Sequence, residues 1–276
     1  MAECGLLNLA SCIPEKLYEF FISVLNAPIK PLLDSIKSLL TEPVNIKVLA
    51  PIWAIILYVL STFYGLLLLY AGMNFMFSGH NEIKRAKSKE WFQNVFLMIL
   101  FTQMSFFLYA MILDVSSLLT AGMMNLVDPD FFLLTADNIV NIGLQFLFAF
   151  FYVLTLFFTM LILVIRYLTI AVGVVLFPIG IFLYFIPPIQ DYGKLILNYL
   201  GICIFIGFFD SVIFLVASQL IQIQIFENMK IMVMIGTFSM TNLLMLYLLF
   251  FSVIKSASKT SSSITRPIMS VAKYFV

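Results

Sequence analysis

An ionisable side chain inside an otherwise apolar stretch is costly in lipid, so it is the first place to look for chemistry. Three meet that description: Arg166 lies between two apolar runs, Asp210 near the centre of another, and Asp114 close to the end of a third. Arg166 either serves a conduction path or snorkels to the inner interface. Asp210 either makes a structural hydrogen bond, pairing with a group such as Arg166, or faces a water-filled cavity. Asp114 reads as a carboxylate at headgroup level. Gln103 precedes it by three helical turns, which puts both on one face with Phe107 and Ala110, a face expected to meet other helices. Pro178, with Gly173 and Gly180 around it and Pro187 and Pro188 beyond, removes a backbone bond and is expected to break or kink its helix. Catalytic templates are missing from the sequence: there is no phosphate loop, no HExxH pair and no Gly-x-Ser-x-Gly. No enzymatic activity is expected. Three cysteines and the single histidine, His80, define no metal site, and no cofactor is expected. Cys4 and Cys12 are a possible disulfide if that end meets an oxidising exterior, and Cys203 in mid-span reads as packing.

These residues need a lipid scaffold. Of 276 residues, 63% are apolar and 11% charged, too few charges to cover a water-soluble globule of this size. Mean hydropathy is +1.09, and a polytopic membrane protein remains. A net charge of +1 excludes a broadly basic nucleic-acid binder and a strongly acidic partner surface. A bilayer core of about 30 Å needs about 20 apolar residues per helix. Runs of that length fall at 52–77, 91–119, 139–165, 167–186, 195–226 and 231–254. Without strand alternation they select helices over a barrel, giving an all-α bundle over 51–254.

Residues 1–50 are too polar to span. Leu32, Leu33, Ile36, Leu39 and Leu40 recur at helical spacing against Asp34, Ser35, Lys37 and Ser38, which predicts an interfacial amphipathic helix. A preceding helix over 14–27 is expected to stop at the Pro28 to Pro31 break. Pro51 suits the first turn of the first span. No Lys or Arg opens the chain, so no cleaved signal is expected. The tail over 255–276 carries Lys255, Lys259, Arg266 and Lys273 with no acid, and is expected to be solvated or to lie on anionic lipid.

Charge sets orientation. The loop after the first span carries Lys84, Arg85, Lys87 and Lys89, whereas the next carries Asp128, Asp130, Asp137 and no base, so the first loop belongs in the cytoplasm. Six crossings would then strand the basic tail outside. The conflict disappears if 167–186 is a proline-broken or re-entrant segment, so the choice lies between five full spans plus that segment and six.

Arg166, the run Leu176-Phe177-Pro178-Ile179-Gly180-Ile181-Phe182-Leu183-Tyr184, the Pro-rich turn and the span opening Leu195-Ile196-Leu197-Asn198-Tyr199-Leu200 together carry a resemblance. So does the hairpin from Tyr70-Ala71-Gly72 to Lys84-Arg85-Ala86-Lys87-Ser88-Lys89-Glu90-Trp91. The chain resembles the polytopic inner-membrane subunit of conjugation and type IV secretion machines, the TrbL-type family, with its archaeal DNA-import relatives. The likeness covers about two-thirds of the chain, and the tryptophan those families often place after the Pro-rich turn is replaced nearby by Tyr192. It implies a platform or channel subunit in a prokaryotic cell membrane, through which DNA passes, with a cytoplasmic ATPase and small pilin-like membrane proteins as partners. In that setting Lys84, Arg85, Lys87 and Lys89 would meet the ATPase, nucleic acid or anionic lipid, or serve topology alone. The segment around Pro178 would line or gate the path. A bundle of this size shows no charged lumen, so a pore would form between copies in a cyclic homo-oligomer. Two other readings stay open: a secondary permease using Pro178 as its unwound point and Asp210 as its coupling site, and a passive scaffold for a pilus or secretion assembly.

Overall fold

The computed structural model describes residues 9–78, 82–134, 142–227 and 229–250, and among them there is no strand. The long helices are α1 (Leu9–Thr41), α2 (Ala50–Phe77), α3 (Glu82–Gln103), α4 (Ser105–Met124), α5 (Ile142–Tyr184) and α6 (Gln190–Leu220). The turn α7 (Gln224–Glu227) leads to α8 (Lys230–Phe250). Five stretches are long and apolar enough to cross a bilayer: Ile46–Phe77, Ser105–Met124, Leu147–Tyr184, Gln190–Leu220 and Lys230–Phe250. His80, Cys4, Asp137 and the basic tail lie outside the described residues.

Two sequence expectations about breaks are corrected. The Pro28 to Pro31 stretch does not end a helix; α1 runs through it. Both prolines are exposed while Ile29, Ile36 and Leu40 form the buried stripe. The lost bonds therefore fall on the outer side, where a helix curves convexly and its bonds already lengthen. Residues 167–186 are neither a sixth span nor a broken segment. They form the second half of α5, which passes through Arg166 and Pro178 and ends at Tyr184. One proline removes one bond, and the ladder on either side holds the helix across it. Termination comes at the next prolines: Ile186 before Pro187 is extended, with φ −96° and ψ 107°.

Contacts divide the chain into two compact units. The first comprises Met1–Glu42, Ser117–Ile165 and Gly207–Met245. Its core is aromatic: Phe132, Phe214 and Phe238 meet pairwise with ring centroids 5.0 to 5.9 Å apart, and Tyr152 stacks edge-on against Phe238 at 5.8 Å. The Tyr152 hydroxyl donates to the Phe132 carbonyl (2.9 Å), which ties the turn after α4 to α5. The Asn26 side chain clasps the same turn from α1, donating to the Leu134 carbonyl (3.0 Å) and accepting from its N–H (3.2 Å). An amide that satisfies both backbone groups of one residue fixes a loop that has no ladder of its own.

The second unit comprises Pro43–Ser116, Arg166–Ile206 and Leu246–Val276. Pro51 sits in the first turn of α2, where its missing N–H costs nothing. Leu60, Tyr64 and Ala71 of α2 pack with Val95 and Met98 of α3 and Phe182 of α5. Between α5 and α6 the hairpin is tight: a Cβ on Gly193 would lie 2.7 Å from the Gly180 carbonyl oxygen and 2.6 Å from the Tyr184 Cα. Only glycine fits that approach.

Candidate functional site

Arg166 is buried in the second unit at 6% exposure and does not snorkel. Its Nε donates to the Cys203 carbonyl (2.9 Å) and its Nη2 to the Ile204 carbonyl (3.1 Å), both inside α6. The Ser116 hydroxyl from α4 donates to the same Ile204 carbonyl (2.9 Å). A helical carbonyl keeps a second lone pair after its ladder bond, so these donors add cross-links without unwinding α6. Three helices are thus joined at one turn of α6.

The α4 face that does this is the hydroxyl-bearing one. Ser105 accepts from the Trp53 indole N–H (2.9 Å), and the Tyr109 hydroxyl donates to the Ile170 carbonyl (2.6 Å). Ser105, Tyr109, Leu113 and Ser116 are all buried. Phe107 and Asp114 are on the opposite side and exposed, Phe107 at 73%, with Ala110 half-buried; Gln103, also exposed, is the last residue of α3. The described helices of this chain leave that face uncovered. Hydroxyls can share a neighbouring helix's carbonyls in a tight contact, whereas a carboxylate needs donors that this fold does not place there. Asp114 stands roughly midway along the Ser105–Met124 span rather than at its end.

Pro178 is buried within the helical run of α5, close to Phe177, whose ring meets Tyr109 at 5.2 Å. In α2, Gly65 and Gly72 make no close approach: a Cβ at either glycine meets nothing within 4 Å. Close approach is made instead at Gly173, where a Cβ would fall on the Tyr109 hydroxyl. In the first unit Asp210 is completely buried in α6, one turn before Phe214.

Lys84, Arg85, Lys87 and Lys89 are exposed on the opening turns of α3. Lys84 and Lys87, with Asn74, Ser88, Tyr70 and Trp91, line an open cleft of about 750 Å³. Tyr70 and Trp91 meet edge-on at 4.9 Å, and Ser88 donates to the Asn74 carbonyl (3.3 Å), holding α3 against α2. Among the described residues no three His, Cys, Asp or Glu side chains gather to hold a metal.

Sequence reasoning missed Tyr109, Ser116 and the Phe132, Phe214, Phe238 cluster, and it took Gly173 as a helix breaker rather than as a packing contact for Tyr109. The hydroxyl spacing of Ser105, Tyr109 and Ser116 along one face of α4 was a usable signal; the phenylalanines, three among thirty, were not.

No family model, no curated protein and no solved structure matches this chain. The fold therefore defines the class by itself: this is a multi-pass α-helical membrane protein.

Proposed function

We propose that the chain is a platform subunit of a DNA-translocation machine of the type IV secretion kind, working as a homo-oligomer with the path between copies. One observation carries this reading: α4 turns Asp114 outward near mid-span while burying Ser105, Tyr109 and Ser116 on its other side. A carboxylate facing lipid at that depth costs about 2.5–3.5 kcal/mol even on lenient scales, so a second copy, a small partner membrane protein or a wet inter-subunit path covers it. The exposed basic turns of α3 supply a contact for a cytoplasmic ATPase. A single-chain permease has less support, because Pro178 stays helical and two donors of Arg166 are engaged by α6 carbonyls.

The test uses membranes of the native host. Phe107→Cys, on the outward face, should give a disulfide-linked dimer on mild oxidation, and Asp114→Leu should lower DNA transfer at least tenfold while the protein still accumulates in the membrane. Unchanged transfer after deletion of the whole gene refutes the translocation role.

A further inference from the structure

The first unit holds a cavity of about 470 Å³ that the proposed function does not use. That volume lies within the roughly 300–1,000 Å³ typical of small-molecule sites. Its mouth carries Lys30, Asp34 and Lys37 from α1, and its wall includes Phe132, Phe214 and Phe238. The two lysines are two helical turns apart with Asp34 between them, so all three side chains follow one face. All three are exposed, and neither lysine is in an ion pair among the described residues. Phe214 and Phe238 are 1% and 0% exposed. The site therefore runs from a charged mouth to a dry aromatic wall.

The lining residues also have defined positions along the candidate spans. Met124, at the end of the α4 span, lies on the lining, and a span's end marks headgroup level. Phe214 is about 9 Å along the axis from the end of α6, and Phe238 about 12 Å from the start of α8, at 1.5 Å per residue. Counted along the spans, the aromatic wall lies toward mid-span from Met124, while the lysines are exposed at the mouth.

We propose that this cavity is a binding site for an anionic phospholipid whose headgroup carries a hydroxyl or ammonium donor beside its phosphate. Lys30 and Lys37 take the phosphate oxygens, Asp34 accepts from the donor, and the first part of one acyl chain lies against Phe132, Phe214 and Phe238. Two cations against one carboxylate favour net negative charge. Asp34 makes a bare phosphate a poor occupant, and a water-soluble phosphate ester leaves the aromatic wall unfilled.

The experiment uses the full chain, delipidated in mild detergent, with native mass spectrometry during titration by phosphatidylglycerol or phosphatidylcholine. Phosphatidylglycerol should bind more tightly. The Lys30→Ala/Lys37→Ala variant should weaken it roughly thirtyfold and leave phosphatidylcholine unchanged, taking the usual contribution of a lysine near an anionic lipid. Leu33→Trp, which fills the cavity without changing charge, should weaken it too, with helix content by circular dichroism confirming that each variant is folded. Lys84→Ala/Lys87→Ala, in the α3 cleft, should leave it unchanged. Equal affinity for the two lipids overturns the proposal, as does an equal loss in the α3 variant. Competition by glycerol phosphate at lipid-like concentrations would make the ligand a free phosphate ester and overturn it as well.

Discussion

Gly173 and Tyr109 give a sharp test of the packing in the second unit. A methyl group at position 173 falls on the Tyr109 hydroxyl and lies 2.8 Å from a Leu200 methyl. Gly173→Ala must therefore push the hydroxyl away from the Ile170 carbonyl, to which it donates at 2.6 Å. Overpacking costs about 1–3 kcal/mol, and a lost hydrogen bond about 1 kcal/mol. The expected total is about 3 kcal/mol, or roughly 6–12 °C in Tm for a chain of this size. Tyr109→Phe alone should cost about 1 kcal/mol, since it removes the donor but leaves the ring against Phe177. Combining the two removes the oxygen that the methyl meets first, so the double variant should be more stable than Gly173→Ala alone, with a coupling of about 1–2 kcal/mol. Thermal unfolding in mild detergent, followed by circular dichroism, reads all four proteins. Additive losses in the double variant would refute this account of the contact.

The remaining predictions concern the same helices. Gly193→Ala meets backbone rather than a movable side chain, so it should lower Tm more than Gly173→Ala does, whereas Gly65→Ala, with nothing within 4 Å, should change it by less than about 2 °C. Arg166→Met removes the two bonds to the Cys203 and Ile204 carbonyls and should destabilise by about 2–4 kcal/mol in a detergent unfolding titration; a neutral result would show that those bonds hold nothing. Pro178→Ala restores an N–H inside a continuous helix, and melting should show equal or greater stability, with a fall in Tm arguing that the proline sets a needed bend.

Apolar length was legible in the sequence because nothing but a helix satisfies the backbone in lipid over such runs, and the five candidate spans follow from it. Punctuation was less legible. Prolines 28, 31 and 178 look like breaks on paper, yet each removes one bond from a helix that neighbours or an open outer side can hold, while the adjacent Pro187 and Pro188 do terminate one. Facing was legible for Arg166 as a functional or interfacial candidate only. That its guanidinium reaches α6 carbonyls depends on the separation of two helices, which spacing within one helix does not contain. Which face of α4 packs within the chain was not legible for a related reason: periodicity groups Phe107 with Asp114, but it does not say that the hydroxyls opposite pack inward.

The Leu147–Tyr184 stretch of α5 has a last consequence. Its 38 residues give about 57 Å of helical contour at 1.5 Å each. That contour exceeds both the oil layer of about 30 Å and the roughly 40–45 Å of bilayer counted to the headgroups. The surplus is taken up by tilt, by bending or by ends lying among the headgroups. A helix held across Pro178 thus leaves this chain more greasy contour than one straight crossing of the oil can use.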